Sequence, residues 1–283
     1  MDLYPFSLEF NSDKNGKPHF ASFPFIMDSV RIAGISCGIS SRFSGNMRYA
    51  EQNQARLDLF SALGLGPARV YGLKQIHSHT VLKVDRQNPP VLQADPGLRT
   101  VEPEVRGSPP QADPESPLKA DGMVSNDRSI SLSVTVADCL PVYLLDCESG
   151  AFGLVHSGWK GTGIVLEALR LMGENWGTRP EAVAAVLGPC IDVCCYKVDA
   201  ERAEVFKNQF GAECIRKSSE GNFSLDLKTA NIRLLSGAGV RNIAVCNECT
   251  FTDERLGSFR REGSQNYTLM AALVFFPVKN HRV

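Results

Sequence analysis

The sequence is organised around residues 131–172, SLSVTVADCLPVYLLDCESGAFGLVHSGWKGTGIVLEALRLM. Apolar and polar residues alternate at its start and a continuous apolar run follows at residues 142–145, so both segments are predicted strands. Residues 153–156 predict a strand that returns beside them, and an amphipathic helix comes next. Cys139 and His156 then lie near strand ends, where a rigid backbone can present a side chain to a cleft.

The composition predicts a large globular protein with reduced cysteines. A chain of 283 residues with 43% hydrophobic content can bury a large core. The net charge of −1 argues against a nucleic-acid partner. No signal-like N-terminus and no long apolar window is present, so we expect a cytoplasmic protein that makes no membrane contact. The odd count of nine cysteines agrees with a reducing compartment.

The chain is predicted to form a single domain over residues 1–283. Helices are expected at residues 48–63 and 162–176, where apolar residues recur at helical spacing. Many predicted strands follow one another directly, which favours mixed sheets with helices outside them. Residues 86–119 are rich in proline and contain little that could pack, so they predict a surface insertion within the domain.

Three side chains outside any compact motif could form one site. A thiolate from Cys139 and imidazoles from His77 and His156 are a donor set typical of zinc, with the fourth tetrahedral position left for water or substrate. The ligands are far apart in sequence. Spacing alone therefore favours the plainer interpretation, in which Cys139 is a core thiol and both histidines are structural.

Several charged residues are candidates for catalysis or anion binding. Asp138 and Asp121 could each orient a ligand histidine or act as a general base, or could simply accept N–H groups in turns. Lys160 lies in a glycine-rich segment that opens a helix, which is either an anion cradle or a strand-to-helix turn. Arg260 and Arg261 are a second candidate anion contact, with a solvated basic turn as the alternative.

Nine short motifs in fixed order resemble the YfiH family, and together they span most of the chain after about residue 40. The motifs are residues 75–77 (QIH), 120–124 (ADGMV), 135–142 (TVADCLPV), 155–161 (VHSGWKG), 188–191 (GPCI), 195–198 (CYKV), 225–227 (LDL), 249–250 (CT) and 259–263 (FRREG). Each motif alone is unspecific, but the combination is specific.

The resemblance implies a fold, a metal and a set of activities. The implied fold is α+β, a four-layer α/β/β/α sandwich with mixed β-sheets. The implied cofactor is zinc, held by His77, Cys139 and His156. The family has been named as laccase-like or polyphenol oxidase, as purine nucleoside phosphorylase with adenosine deaminase activity, and as peptidoglycan editing factor.

The sequence departs from the family pattern at two places near predicted site residues. The family usually has glycine after its first ligand histidine, whereas Ser78 and His79 follow here, so His79 is a rival ligand to His77. The family often has arginine before its C-terminal Met-Ala-Ala, whereas Leu269 stands there in this chain. The proline-rich insertion is also longer than usual.

The favoured hypothesis is a zinc-dependent purine nucleoside phosphorylase acting on adenosine, inosine or methylthioadenosine with phosphate, and also deaminating adenosine. Its catalytic residues would be His77, Cys139, His156 and Asp138, and its anion contacts Lys160, Arg260 and Arg261. The oligomeric state is left open.

Three other functions compete with the phosphorylase hypothesis. In a cysteine-type amidase that edits peptidoglycan precursors, Cys139 would be the nucleophile, His156 its base, and His77 or Asp138 the group that orients the base. A non-enzymatic nucleotide-binding protein would use the same cleft without turnover. Multicopper oxidation needs many histidines, and the five in this chain argue against it.

Overall fold

The computed structural model describes residues 1–12, 16–48, 53–87, 119–219 and 221–277. Nearly all of the predicted insertion at residues 86–119 lies outside the described residues. The assignment of residues 1–283 to a single domain stays a prediction.

Eighteen strands and five α-helices form the described part of the chain. The strands are β1 (Asp2–Phe6), β2 (Phe10–Ser12), β3 (Pro18–Phe23), β4 (Ile26–Met27), β5 (Val30–Arg31), β6 (Ser36–Ser40), β7 (Val70–Tyr71), β8 (Val81–Lys83), β9 (Gly122–Ser125), β10 (Ser131–Val136), β11 (Leu140–Asp146), β12 (Phe152–Ser157), β13 (Val183–Leu187), β14 (Lys197–Val198), β15 (Ile215–Lys217), β16 (Phe223–Leu225), β17 (Asn242–Cys246) and β18 (Met270–Phe275). The helices are α1 (Gln54–Ala62), α2 (Ile164–Trp176), α3 (Ala200–Phe210), α4 (Leu227–Gly237) and α5 (Phe259–Glu262).

The fold is mixed α+β and is built on two large mixed sheets. Seven strands form one sheet in the order β1-β17-β13-β11-β12-β9-β8, and six form the other in the order β2-β3-β6-β18-β10-β7. In the first sheet β11 pairs antiparallel with β12 and β13, while β13 and β17 run parallel. In the second, β10 pairs antiparallel with β18 and parallel with β7. The prediction of mixed sheets is therefore confirmed.

Three hydrophobic clusters hold these elements together. The largest contains side chains of both large sheets, such as Val134 from β10 and Tyr143 from β11. A second joins the seven-stranded sheet to α2, α3 and α4, and a third joins the six-stranded sheet to α1. Strands β10, β11 and β12 are buried along their whole length, so both faces of these strands meet apolar partners.

The helix boundaries follow from their caps. The first helix was predicted from residue 48, but α1 begins at Gln54 because the side chain of Asn53 accepts the N–H of Arg56. Helix α2 starts after Gly163 and ends before Gly177, both of which have positive φ. Among the described residues, no helix has the length and apolarity that crossing a membrane requires.

Candidate metal centre and substrate cleft

The structure brings His77, Cys139 and His156 together. One possible ligand atom from each residue lies within 4.8 Å of those of the other two. His77 comes from the loop between β7 and β8, Cys139 from the tight turn between β10 and β11, and His156 from β12. Because β11 and β12 pair with Pro141 opposite His156, the turn that carries Cys139 lies beside this imidazole. The predicted convergence of these side chains is therefore seen.

A single buried carboxylate fixes both histidines. Asp121 is fully buried, and its oxygens accept the backbone N–H groups of residues 76–78 at 3.2, 2.9 and 2.7 Å. It also accepts the hydroxyl of Ser78 at 2.8 Å and lies 2.9 Å from Nδ1 of His156. The predicted turn contacts of Asp121 are therefore seen, and the same carboxylate also contacts a candidate ligand histidine. Its predicted role as a general base stays a prediction.

Two of the turns around the site adopt left-handed backbone that non-glycine residues rarely use. His77 has φ of 60° and Asp138 has φ of 87°. The first turn is held by Asp121. The second is held by the side chain of Asp138, which accepts the hydroxyl of Thr250 at 2.6 Å and the backbone N–H of Arg260 at 2.7 Å. Such over-determined strain is typical of preorganised functional sites.

Gly158 leaves room for the three candidate ligands. A Cβ atom at this position would lie 2.9 Å from Sγ of Cys139 and 3.3 Å from Cδ2 of His77. Since the first separation is shorter than side-chain contacts allow, only glycine fits without moving the cysteine. The glycine of the SGWKG segment therefore serves the site through its lack of a side chain.

The charges at the site favour a thiolate. Burial raises the pKa of the Cys139 thiol, but the positive charge of His156 and hydrogen bonds from His156 and His77 outweigh burial and lower this pKa from 9.0 to about 6. Burial lowers the pKa of His156, whereas the Cys139 thiolate and the Asp121 carboxylate raise it to about 9. Cys190 lacks imidazole neighbours of this kind, and burial raises its thiol pKa well above the ordinary value.

This donor set fits a divalent metal ion. Nδ1 of His156 is engaged by Asp121, which leaves Nε2 for coordination, and a carboxylate behind a ligand imidazole is the usual outer partner in zinc sites. A sulfur and two nitrogens leave one tetrahedral position open, as catalytic zinc sites do. Among the described residues no further group of three such side chains converges in this way.

His79 does not join the group. Its Nε2 lies 3.0 Å from the backbone oxygen of Thr162, and the ring packs near Gly163 at the start of α2. The loop geometry favours His77 over His79 as the candidate ligand, because His77 lies in the group with Cys139 and His79 contacts the segment before α2.

The three candidate ligands line a cleft of about 420 Å³. This volume is within the range of small-molecule sites. The side chains around the cleft are mainly aromatic, apolar or cationic. They are Gln75, His77, Thr135, Ala137, Asp138, Cys139, His156, Trp159, Ile191, Tyr196, Arg202, Leu227, Phe259, Arg260, Tyr267 and Leu269.

The predicted anion contacts are distributed unequally. Arg260 lines the cleft, with its guanidinium 5.5 Å from the ring centre of Tyr196. Lys160 is exposed and does not line the cleft, and its ammonium lies 5.4 Å from the ring centre of Trp159. Arg261 does not line it either, because its guanidinium donates to backbone oxygens of residues 250, 251 and 253. Phosphate binding by Lys160 and Arg261 stays a prediction that this geometry does not favour.

Several cleft residues were missed by the sequence reasoning. Gln75 clamps the His77 loop to β10, since its side chain exchanges three hydrogen bonds with Thr135. Arg202, Tyr196 and Tyr267 lie on segments that showed no chemical pattern of their own. The sequence signal that could have pointed to Tyr196 is its place in the CYKV motif.

The comparisons with known proteins agree in pointing to one family. A family model described as "Multi-copper polyphenol oxidoreductase laccase" matches residues 33–276. A purine nucleoside phosphorylase of Deinococcus radiodurans is 35% identical over 252 residues, which is 87% of this chain and 87% of that protein. A purine nucleoside phosphorylase of Corynebacterium glutamicum is 28% identical over 255 residues, which is 88% of this chain and 93% of that protein.

Solved structures share the fold. The crystal structure of the hypothetical protein YfiH from Bacillus licheniformis matches with a TM-score of 0.71 at 25% identity, over 86% of this chain and 92% of that one. YlmD from Geobacillus stearothermophilus matches with a TM-score of 0.73 at 24% identity, over 95% of this chain and 99% of that one, and at this identity the likeness shows the fold alone. Because the family model spans most of the sequence, the chain belongs to the YfiH family, whose model carries the laccase description.

Proposed function

We propose that this protein is a metal-dependent purine nucleoside phosphorylase and that its metal is zinc. The observation that carries the proposal is the convergence of His77, Cys139 and His156 in a cleft lined by aromatic and cationic side chains. Relatives named purine nucleoside phosphorylase that match most of the chain support the reaction class. The substrates would be a nucleoside, such as adenosine, inosine or methylthioadenosine, and inorganic phosphate.

Zinc is preferred over a multicopper centre because of the donor set. One thiolate and two imidazoles with an open position are typical of catalytic zinc. Multicopper chemistry requires many histidines, and this chain has five, of which two belong to the group. When bound, zinc would supply a Lewis acid that polarises a substrate oxygen.

Different residues of the cleft would hold the metal and bind the purine base. Cys139 and His156 present their donor atoms without reorganisation, because Asp121 and the turn at Asp138 fix them. Aromatic side chains such as Phe259 and Tyr267 offer aromatic surface to a purine base. In the reaction a phosphate oxygen bonds to C1′, the bond from C1′ to the base nitrogen breaks, and the base takes the proton carried by hydrogen phosphate. A proton-transfer role for Asp138 stays a prediction, because both of its oxygens already accept hydrogen bonds.

The test is turnover by purified protein loaded with zinc. We expect adenosine, inosine or methylthioadenosine to release its base in step with a pentose 1-phosphate, and the Cys139→Ala variant to release neither. Absence of base release from all three nucleosides, in protein that carries one equivalent of zinc, would contradict the proposal.

Deamination of adenosine is a separate, second activity of the same proposal. It would convert adenosine to inosine with release of ammonia, and it requires water instead of phosphate. Measuring ammonia from adenosine in phosphate-free buffer separates this activity from phosphorolysis. If zinc-loaded protein cleaves adenosine but never yields ammonia, the proposed phosphorylase activity stands and the proposed deaminase activity is contradicted.

A cysteine amidase acting on peptidoglycan precursors is the second candidate, and one observation favours it. Without a metal, Cys139, His156 and Asp121 resemble a nucleophile, a base and an orienting carboxylate. The orienting group is Asp121, and not His77 or Asp138 as predicted. Stoichiometric zinc argues against a free nucleophile, whereas amide hydrolysis by metal-free protein that stops on alkylation of Cys139 would favour the amidase. Ligand binding without turnover in either assay would favour the non-enzymatic alternative.

We also propose that the layers follow the order helix, sheet, sheet, helix. The three hydrophobic clusters support this order, since one combines both large sheets and the other two each join one sheet to helices. All nine cysteines are free thiols, which supports a reducing compartment such as the cytoplasm.

A further inference from the structure

Two arginines of the cleft lie over aromatic rings. The guanidinium carbon of Arg202 is 4.7 Å from the ring centre of Trp159, and that of Arg260 is 5.5 Å from the ring centre of Tyr196. All four side chains line the cleft. Stacking restrains a planar guanidinium and leaves the N–H groups along its edge free to point sideways, which is the geometry that bidentate anion binding uses.

Within the described part of the chain, most of these N–H groups have no hydrogen-bond acceptor. Arg260 donates one hydrogen bond, to the backbone oxygen of Lys197 at 2.9 Å. The acidic neighbour of Arg202 is the exposed Asp199, at 3.9 Å, which is beyond hydrogen-bond range. Asp138, the one carboxylate among the described lining residues, already accepts from Thr250 and from the backbone of Arg260. The cleft therefore presents two cations that carry unused donors.

Tyr196 adds a neutral donor to the cleft. Its ring centre lies 5.5 Å from the guanidinium carbon of Arg260, and the side chain lines the cleft together with Arg202. A phenol is protonated at neutral pH and can donate a hydrogen bond to a bound anion.

We propose that Arg202 and Arg260, together with the hydroxyl of Tyr196, bind the inorganic phosphate that attacks the nucleoside. The proposal rests on the proposed function and names the site of its second substrate. The expectation drawn from sequence placed the anion at Lys160, Arg260 and Arg261. The proposal keeps Arg260, adds Arg202 and leaves out the other two residues.

The chemistry explains why the anion contact sets the product. With phosphate bound, its oxygen bonds to C1′ and the products are the free base and a pentose 1-phosphate. Without it, a water oxygen bonds to C1′, the water proton passes to the departing base, and the products are the free base and the free pentose. The loss of a charged donor should therefore change the product ratio as well as the phosphate affinity.

The test compares Arg202→Met and Arg260→Met with the native protein, all loaded with zinc. Methionine keeps an unbranched stem that can pack on the ring and removes the charge. Inorganic phosphate is titrated calorimetrically into each protein, and pentose 1-phosphate and free pentose are measured during nucleoside turnover. Arg170→Met is the matched control, because Arg170 lies on the exposed face of α2 and pairs with Glu167 and Glu174.

We expect each cleft variant to weaken phosphate binding by about tenfold to a hundredfold, as the loss of a charge-assisted hydrogen bond predicts. Both cleft variants should also shift their products toward free pentose, whereas Arg170→Met should match the native protein. Phosphate affinity within about twofold of native in both cleft variants would overturn the proposal, as would a native protein that binds no phosphate.

One further variant separates the loss of phosphate binding from misfolding, and one pair of outcomes separates the anion site from the proposed function. Arg202→Lys keeps the charge but not the planar fork, so it should fold like the native protein and lose phosphate affinity by a smaller factor. If phosphate binds through these arginines and no nucleoside is cleaved, the phosphorylase fails and the anion site stands. If nucleosides are cleaved with unchanged phosphate affinity in the variants, the anion site fails and the phosphorylase stands.

Discussion

Two groups of side chains at the cleft, called here the floor and the rim, are held in different ways. The floor is the group His77, Cys139 and His156 with Asp121 behind it, which backbone turns and one buried carboxylate hold in place. The rim is a set of lining side chains from four separate segments, namely Trp159, Tyr196, Arg202, Phe259, Arg260 and Tyr267. A metal ion binds tightly when its donor atoms are held in place before it arrives, whereas substrate can be bound by side chains that change conformation. Changes at the floor should therefore act on metal affinity, and changes at the rim on substrate affinity.

The largest effect should come from removing a metal donor. Cys139→Ser replaces the thiolate by a hydroxyl that does not ionise near neutral pH. Loss of a residue behind a metal ligand weakens metal binding by up to about a hundredfold, so loss of a ligand itself should lower both zinc content and base release by more than about a hundredfold. Cys147→Ser is the control, because Cys147 is an exposed free thiol at the turn after β11. Equal zinc content in the two variants would show that Cys139 is not a zinc ligand.

The next effect should come from the carboxylate behind the histidines. Asp121→Asn puts an amide among groups that all donate hydrogen bonds to this side chain, so zinc affinity should fall by about tenfold to a hundredfold. Asp146→Asn is the matched control, since Asp146 is a buried carboxylate that closes a turn far from the floor. Both variants should lose stability, and only Asp121→Asn should lose zinc, as competition with a chelator would measure.

Gly158→Ala should have a smaller effect of the same kind. The added Cβ would meet Sγ of Cys139, and overpacking of this sort costs about 1–3 kcal/mol, so we expect zinc to bind about tenfold more weakly. Gly237→Ala adds the same atom at the end of α4, where no atom lies within 4 Å, and should bind zinc normally. Normal zinc affinity in Gly158→Ala would show that the floor can shift to admit a side chain.

A rim substitution should act on the substrate alone. Phe259 is 46% exposed and meets Tyr267 edge-on at 5.0 Å between ring centres. Phe259→Ala should raise the KM for the nucleoside by about threefold to tenfold, as the loss of one aromatic contact predicts, and leave zinc content unchanged. Phe43→Ala, at an exposed phenylalanine that does not line the cleft, is the control. A loss of zinc in Phe259→Ala would break the distinction between floor and rim.

The smallest effect is a spectroscopic one in metal-free protein. The folded-state pKa of Cys139 is lowered to about 6, so its thiolate persists above that pH and disappears as the pH falls through it. The difference in ultraviolet thiolate absorbance between native protein and Cys139→Ser should therefore vanish on acidification through about pH 6. A transition near the ordinary value of 9.0 would show that the neighbouring imidazoles do not stabilise the thiolate.

The same contrast explains what could be read from the sequence. Strands β10 to β12 and helix α2 were predictable, because their apolar periodicity is strong and their turns contain glycine or acidic residues. The floor residues were identifiable because histidine and cysteine are rare and chemically specific. The role of Asp121 was not decidable, because the folding of residues 76–78 around its carboxylate depends on contacts between distant segments.

The positions of the rim side chains could not be predicted from the sequence. Arg202 lies in an ordinary helical sequence, and nothing local distinguishes it from other exposed arginines of the chain. Its position over Trp159 brings α3 together with the segment before α2, and these two parts of the chain are far apart in sequence. Arg261 shows the converse, since a basic pair in a loop predicted an anion contact and the structure uses that guanidinium to bind backbone oxygens.

Metal analysis of the purified protein tests the central claim most directly. We predict one equivalent of zinc per chain in the native protein, and almost none in His77→Ala, Cys139→Ala and His156→Ala variants that remain folded. Native protein that has no zinc, takes up none when it is offered, and shows the same nucleoside turnover with and without a chelator would contradict the account.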